Sequence, residues 1–136
     1  MGTRSRIGIM HGDVCKSVYV HWDGYLAGVG ATLLEHYSSS VKVNQLIAGG
    51  DFSSLEDNIA DIKFYKDQYD ERDTSHCSTH SFDEFYDLVD ETSGEYYYIM
   101  QDGVWYVGTT YNRDPLYKKL TVLTPNLVKQ GQEQNA

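Results

Sequence analysis

The sequence predicts an α+β fold: an antiparallel sheet built from N-terminal and C-terminal β-hairpins, with about three helices packed on one face. Two pairs of short apolar runs, each pair joined by a tight-turn sequence, lie near the two ends of the chain. Segments with apolar residues at helical spacing lie between them. No strand–helix–strand crossover with a glycine-rich turn is visible, so a doubly wound nucleotide-binding fold is disfavoured.

The N-terminal hairpin consists of two apolar-rich runs, residues 3–10 and 15–23, joined by residues 11–14. Side chains alternate between the two faces of a strand. The second run therefore divides into two sets, which are Val18, Val20 and Trp22 on the core face and Tyr19, His21 and Asp23 on the other. On the first run, Arg4 and Arg6 should project together from one face.

Three helices are predicted between the hairpins. Apolar residues at helical spacing cover residues 26–37, before a run of three serines. Ser39 or Ser40 is placed to cap a second helix, which the glycine pair 49–50 should terminate. Residues 81–84 form a capping box in front of a third helix. The buried stripe of that helix is Phe82, Phe85, Leu88 and Val89.

The C-terminal hairpin is predicted from aromatic and β-branched runs at 95–101 and 104–111. They are joined by Asp102-Gly103, the sequence of a type I′ turn. Beyond the hairpin the pattern leaves two alternatives open. Asp114-Pro115 is able to begin a last helix that would carry Leu116, Leu120 and Leu123, whereas residues 119–123 are equally able to form a strand.

Domain organisation follows from the same patterns. Residues 1–128 are expected to form a single α+β domain, and residues 129–136 a disordered tail. Within the domain, residues 51–80 are expected to be acidic and partly irregular, with a short helix near residues 55–64. The total of 136 residues is the size of one domain.

The charge of the chain is concentrated in its middle. The formal net charge is −9, but residues 51–95 contain fourteen acidic and three basic residues, whereas the rest of the chain contains six acidic and eight basic residues. A field of this sign repels phosphate backbones, so direct nucleic-acid binding is not expected. It attracts basic protein surfaces, including those that bind nucleic acid. Solubility alone also accounts for such a charge.

Several sequence features that are absent limit the expected cellular compartment and the expected activity of the protein. No apolar run reaches the length of a membrane helix, and the N-terminus lacks the apolar core of a signal peptide. Two cysteines, Cys15 and Cys77, are too few for a disulfide scaffold and favour a reducing compartment. No phosphate-binding loop, dinucleotide fingerprint or zinc-protease motif occurs, so an enzyme is not favoured.

His76, Cys77 and His80 form the tightest group of metal-ligating side chains in the sequence. Zinc is bound by thiolate and imidazole, but a closed site needs a fourth ligand from elsewhere. Cys77 and His80 also admit a nucleophile-and-base interpretation. The alternative is a solvated loop in which the histidines have no role. No cofactor is therefore expected, and zinc is the one metal that the sequence leaves as an alternative.

Two further groups are candidates for binding small ligands. His21, Asp23 and Tyr25 surround the end of the second strand, where Asp23 would orient His21 as a base, bind a ligand or form a turn before Gly24. Arg4 and Arg6 would grip a phosphate or carboxylate, or would neutralise the protein's own acidic segment.

The twelve tyrosines suggest an interface. On the C-terminal hairpin, alternation divides the first strand into two sets, which are Tyr96, Tyr98 and Met100 on one face and Tyr97, Ile99 and Gln101 on the other. At least one tyrosine stripe is expected to be exposed. Tyrosine offers a large contact area with a hydroxyl group and is enriched at binding hot spots.

Three segments of the sequence carry a resemblance. MGTRS at 1–5, YVHWDGY at 19–25 and GATLLEHY at 30–37 resemble a group of small accessory proteins encoded by tailed bacteriophages. The similarity continues through 43–55 and weakly into the hairpin 95–106. No activity or functional residue is carried over from that group. The resemblance implies a phage accessory protein that works in the cytoplasm of the bacterial host.

The leading hypothesis is a non-enzymatic phage accessory protein that binds and inhibits a host factor, in particular one of antiviral defence. Its acidic, tyrosine-rich surface would comprise Asp67, Asp70, Glu71, Asp73, Tyr96 and Tyr98. The first alternative is a small-ligand binder that sequesters a nucleotide signal with Arg4, Arg6 and His21. The second is a small enzyme or metal-binding protein. A homo-oligomer is compatible with all three.

Overall fold

A six-stranded mixed sheet forms the centre of the computed structural model, which describes residues 2–67 and 74–134, without the side chains of 132–134. The strands are β1 (Ser5–His11), β2 (Val14–Val20), β3 (Cys77–Thr79), β4 (Tyr96–Gln101), β5 (Val104–Thr109) and β6 (Thr121–Val122). The α-helices are α1 (Ala31–His36), α2 (Ser40–Ala48), α3 (Phe82–Glu91) and α4 (Pro125–Gln134). A π-helical turn at Leu26–Gly30 leads into α1, and short 3-10 turns lie at Ile59–Asp61 and Tyr65–Asp67.

The strand order is β3-β2-β1-β4-β5-β6, so the two predicted hairpins lie side by side. β1 and β4 join them in parallel, with Ile7 opposite Tyr98, and the other neighbouring strands are antiparallel. The α+β class is therefore confirmed. The sheet is mixed because the long connection from β2 to β4 brings the chain back to the same end of the sheet before the second hairpin begins.

Both hairpin turns form where the sequence predicts them. Gly12 has a φ of +61°, and Asp102 and Gly103 have φ values of +52° and +79°. At Asp102-Gly103, positive φ at both central residues is the geometry of a type I′ turn, and its twist matches that of the flanking strands. The predicted helix caps also form, since Ser39 Oγ accepts from Lys42 N and Ser81 Oγ accepts from Glu84 N, both at 3.1 Å.

The sheet is covered on both faces. Its first face carries Ile7, Val18, Tyr98 and Val107 and packs against residues of α1, α2 and α4. Its second face carries Cys15, Tyr97 and Ile99 and packs against α3. The third predicted helix therefore lies on the opposite face from the first two. The apolar stripe of α3, which is Phe85, Tyr86 and Val89, finds its matching apolar surface only on the second face.

Trp22 does not continue the core face of β2 as predicted, because its side chain is 43% exposed. β2 ends at Val20, and the backbone N–H of Trp22 donates to Ser53 O at 2.8 Å. Asp23 then adopts a left-handed φ of +58°, so the strand alternation stops before residue 22.

Of the two alternatives for the chain beyond residue 114, a helix or a strand at residues 119–123, the structure has the strand. Thr121–Val122 pair with β5, and the last helix begins only at Pro125. α4 extends into the segment predicted as a disordered tail, and Val128 and Gly131 are buried. This helix covers the π-helical turn, where the side chain of Leu26 approaches Gly131. No helix among residues 2–67 and 74–134 is long and apolar enough to cross a membrane.

Candidate functional site

Two surface cavities contain five of the predicted site residues, which are Tyr25 and Tyr96 in one and Arg6, His76 and Cys77 in the other. The first, called here the tyrosine pocket, is lined by Thr3, Tyr25, Tyr96 and Tyr111 and has a volume of about 410 Å³. The second, called the arginine pocket, has a volume of about 540 Å³. Its lining includes Arg6, Tyr19, Asp51, Tyr65, Thr74 and Cys77.

The tyrosine pocket is assembled where several elements begin or end. Tyr96 is the first residue of β4, and Tyr111 lies just beyond β5, whose Thr109 pairs with Tyr96. The two tyrosine rings meet edge to face, with centroids 5.8 Å apart. Tyr25 immediately precedes the π-helical turn, and such turns are frequent at functional sites. The pocket thus has an aromatic lining on a rigid scaffold.

Carboxylates stand at the hydroxyl ends of these rings. Tyr111 donates its hydroxyl to Glu95 Oε1 at 2.9 Å, and Glu95 Oε2 accepts from the backbone N–H of Arg4, also at 2.9 Å. Tyr25 donates to Asp23 Oδ1 at 3.4 Å. Burial, followed by the charges of Asp114 and Glu95, raises the pKa of Tyr96 above its ordinary value. The rings therefore lie in a negative environment.

Such a lining can bind a cation. The face of an aromatic ring carries partial negative charge and attracts ammonium and guanidinium groups. Carboxylates close to the rings strengthen this attraction. The arrangement contains the predicted residues Asp23, Tyr25 and Tyr96, and it adds Glu95 and Tyr111.

The arginine pocket lies on the second face of the sheet, with a buried charge in its lining. Arg6 is 2% exposed and donates from Nε to Ser17 Oγ at 2.8 Å and from a terminal nitrogen to Ser17 O at 3.4 Å. Burial lowers the pKa of Arg6, an effect that Cys77 and Asp51 oppose. In the described part of the chain, Arg6 has no carboxylate at ion-pair distance.

Thr74 supplies a second unusual group to the arginine pocket. Thr74 is 7% exposed, and its Oγ1 makes no hydrogen bond within residues 2–67 and 74–131. Buried hydroxyl groups nearly always have a partner, because losing water without replacement is costly. The arginine pocket therefore combines a buried cation with an unsatisfied hydroxyl.

A chain of side-chain hydrogen bonds connects Arg4 with His21 through Tyr19. Arg4 Nε donates to the hydroxyl of Tyr19 at 3.0 Å, and that hydroxyl lies 2.8 Å from His21 Nδ1. Arg4 and Arg6 do share one face with Tyr19, as predicted from alternation. The expected His21–Asp23 pairing is replaced by His21–Tyr19, because the chain leaves the strand before Asp23.

The predicted metal and nucleophile cluster is divided between two cavities. His76 and Cys77 line the arginine pocket, whereas His80 lines a separate cavity beside Cys15. No group of three or more histidine, cysteine and acidic side chains able to hold a metal occurs within residues 2–67 and 74–131. The described structure thus does not assemble His76, Cys77 and His80 into one site.

Tyr98 is not an exposed binding residue. Its side chain is fully buried, and its hydroxyl donates to Gly24 O at 2.7 Å. Tyr97 is also buried, so neither stripe of β4 is exposed as predicted. β4 is a central strand with helices on both faces, and only Tyr96 at its beginning reaches a pocket.

The acidic residues predicted as a docking segment are only partly described. Asp67 is exposed at the end of the 3-10 turn Tyr65–Asp67. Asp70, Glu71 and Asp73 lie outside the described residues. A second acidic surface is present on α3, whose exposed carboxylates are Asp83, Glu84, Asp87, Asp90 and Glu91.

Sequence reasoning did not single out several residues of the two pockets. Glu95 and Tyr111 are distant from Tyr25 in sequence, and only the pairing of β1 with β4 brings them together. A correct prediction of the pairing and register of β1 with β4 would have identified these two residues. Thr74 has no sequence signal, because its role depends on an unsatisfied hydroxyl that only the fold creates.

No protein-family model matches the chain, and neither a curated protein nor a solved structure matches it. The geometry of the two pockets and the distribution of charge are therefore the features from which function is inferred.

Proposed function

We propose that the protein is a non-enzymatic phage accessory protein that binds and inhibits a bacterial host factor, one that acts in antiviral defence. The tyrosine pocket carries this proposal, because it combines three tyrosine rings with the carboxylates of Asp23 and Glu95. The phage origin and the bacterial cytoplasm as its location rest on the resemblance of the segments at 1–5, 19–25 and 30–37.

The occupant of the tyrosine pocket is a lysine or arginine side chain on a basic surface of the partner. Aromatic rings flanked by carboxylates bind such cations better than they bind neutral or anionic groups. Tyrosine rings also lose little side-chain entropy on binding, which suits a hot spot. A partner that itself binds nucleic acid would present the required basic surface.

The overall charge of the chain supports the same kind of partner. α3 has five exposed carboxylates, and the chain as a whole carries a net charge of −9. Such a field accelerates the approach of a basic surface and disfavours competing acidic surfaces. Long-range attraction would thus be general, whereas the tyrosine pocket would supply the specific contact.

A binding experiment with a defined probe tests the contact. The probe is a short lysine- and arginine-rich peptide, with an acidic peptide of equal length as its control, followed by NMR chemical shifts. We expect Glu95→Gln and Tyr111→Ala to weaken binding of the basic peptide about fivefold or more. Glu91→Gln is the matched control, since it removes the same charge from the exposed end of α3. Equal losses for Glu95→Gln and Glu91→Gln would reduce the contact to net-charge attraction.

Inhibition is tested in cells. Bacteria that carry a defence system would express the protein, and the plating efficiency of a phage sensitive to that system would be measured. The proposal expects plating to be restored by the wild type and by Glu91→Gln, and not by Tyr111→Ala at equal protein level. Restoration by Tyr111→Ala to the wild-type level would contradict the role of the tyrosine pocket.

A further inference from the structure

The arginine pocket is lined by a buried charge that has no ion pair among the described residues, although Asp51 lies in the same lining. Arg6 is held by Ser17 Oγ and Ser17 O, which are neutral acceptors, and no ion pair of Arg6 occurs within the described residues. A buried charge without an opposite charge in contact is costly, and an anionic ligand at Arg6 would reduce this cost. A guanidinium presents a planar fork of donors that matches phosphate and carboxylate groups.

Thr74 adds an independent observation that points to a ligand. Thr74 lines the same pocket as Arg6, and its buried Oγ1 makes no hydrogen bond to any residue that the structure describes. A hydroxyl group is able to donate to an oxyanion oxygen, and this would satisfy it. Among the described residues, Arg6 thus has no ion pair and Thr74 Oγ1 has no hydrogen bond, and one oxyanion would supply both.

The rest of the lining fits the body of a larger molecule. Two half-buried tyrosines, Tyr19 and Tyr65, and the apolar side chain of Leu88 line the pocket. The cavity volume of about 540 Å³ lies within the range of small-molecule sites. Asp51 also lines the pocket, and its Oδ1 accepts from the backbone N–H of Tyr19 at 2.8 Å. Aromatic faces are able to stack on a nucleobase.

We propose that the arginine pocket is a second, separate binding site for a phosphate-bearing small molecule of mononucleotide size. Arg6 and Thr74 hold the phosphate group, and the rings of Tyr19 and Tyr65 contact the body of the ligand. This site goes beyond the proposed partner binding and does not depend on it, since none of the described residues lines both the tyrosine pocket and the arginine pocket.

Thermal unfolding of the purified protein tests the site. The probes are AMP, GMP and inorganic phosphate, with acetate as the carboxylate control. A ligand that binds only the folded state raises the Tm, and we expect a rise of roughly 5–10 °C for the better nucleotide at about 100 times its Kd. Inorganic phosphate should give a smaller rise and acetate the smallest.

Three variants separate binding from folding. Thr74→Val removes the unsatisfied hydroxyl and Arg6→Met removes the buried charge, and both keep most of the side-chain volume, so both should unfold without ligand close to or above the wild-type Tm. Arg6→Met should weaken nucleotide binding at least tenfold, and Thr74→Val about fivefold. Arg113→Met is the matched control, since it removes the same charge from an exposed turn and should leave binding unchanged.

Cys77 supplies a readout that does not depend on stability. Its thiol lines the arginine pocket, so saturating nucleotide should slow its alkylation by iodoacetamide in the wild type and not in Arg6→Met. The proposal is overturned if no nucleotide or phosphate raises the Tm of the wild type, or if Arg6→Met and Arg113→Met respond equally. An equal response of the wild type to AMP and to inorganic phosphate would overturn the assignment of a nucleotide-sized body.

Discussion

Arg6 donates its Nε–H to Ser17 Oγ at 2.8 Å, diagonally across the paired strands β1 and β2. The register places Arg6 opposite Tyr19 and Gly8 opposite Ser17. Gly8 makes this diagonal contact feasible, because a Cβ at residue 8 would lie 2.8 Å from Cys15 Sγ and 3.3 Å from Ser17 Cβ. Arg6 is thus held in the lining of the arginine pocket by its hydrogen bonds to Ser17.

Ser17→Ala should destabilise the protein by about 1.5–3 kcal/mol, the usual cost of losing a hydrogen bond to a buried charged group. In the Arg6→Met background the same substitution should cost less than about 1 kcal/mol, because no charged donor is left unsatisfied. Urea denaturation of the two single variants and the double variant gives the coupling free energy. A cost of Ser17→Ala that is equal in both backgrounds would show that Ser17 does not act through Arg6.

Gly24→Ala should be strongly destabilising, because Gly24 is a buried loop residue in close contact with the start of the sheet. A Cβ at residue 24 would lie 2.6 Å from Ser5 Cβ and 2.8 Å from Thr3 O, and Gly24 O accepts the buried hydroxyl of Tyr98. We expect a loss of about 3 kcal/mol in the free energy of unfolding, measured by denaturant titration.

Gly12→Ala is the matched control for Gly24→Ala. Gly12 has a φ of +61° with no atom within 4 Å of the added Cβ, so only backbone strain of about 1 kcal/mol is expected. Equal losses for the two variants would contradict the close approach of Gly24 to β1.

The stability of the protein should fall between about pH 10 and pH 12. Burial, followed by the charges of Asp57 and Glu56, raises the pKa of Tyr37 to about 12, and burial raises that of Tyr98 well above its ordinary value. In the unfolded chain these hydroxyls ionise near pH 10, so above that pH the unfolded state binds fewer protons and stability decreases. Their contribution is fully present below pH 10.

Urea denaturation at increasing pH measures this decrease, and absorbance at 295 nm follows tyrosine ionisation. Tyr37→Phe and Tyr98→Phe should each reduce the slope of stability against pH in this range. Tyr25→Phe is the control, since Tyr25 is half-buried beside the open tyrosine pocket. Ionisation of all twelve tyrosines near pH 10 while the protein stays folded would contradict the burial of Tyr37 and Tyr98.

The two free cysteines should differ in reactivity. Cys15 is buried between β1 and α3, and burial raises its pKa to about 11, whereas Cys77 is half-buried in the arginine pocket. Because the thiolate is the reactive form, a disulfide reagent at pH 8 should modify Cys77 in the folded protein and Cys15 only after unfolding. Cys77→Ser should abolish the fast reaction, and fast modification that persists in this variant would show that Cys15 is accessible.

Local patterns were predictable wherever a few adjacent residues decide the conformation. Asp102-Gly103 forms the expected turn, and Ser39 and Ser81 cap the expected helices. The apolar face of α3 was also evident, but its position on the sheet was not. Nothing within that helix indicates which face of a sheet it will cover, because both faces of the central strands are apolar.

Residues 129–134 show that polar composition alone does not predict whether a segment is helical. The polar C-terminal sequence predicts a disordered tail, yet α4 runs through it, with Val128 and Gly131 buried against the rest of the chain. A short helix gains most of its stability from packing rather than from propensity, so a polar segment with few apolar contacts is able to fold once its neighbour is in place.

The sequence alone determined the charge, the α+β class, both hairpins and the common face of Arg4 and Arg6, since these depend on composition and on alternation within one strand. The tertiary structure decided which tyrosines are exposed, which partner His21 finds and which groups in a pocket lack a partner. These features depend on the parallel pairing of β1 with β4 and on the layer of helix that covers each face. Residues distant in the chain meet only through such pairing, and no local pattern encodes it.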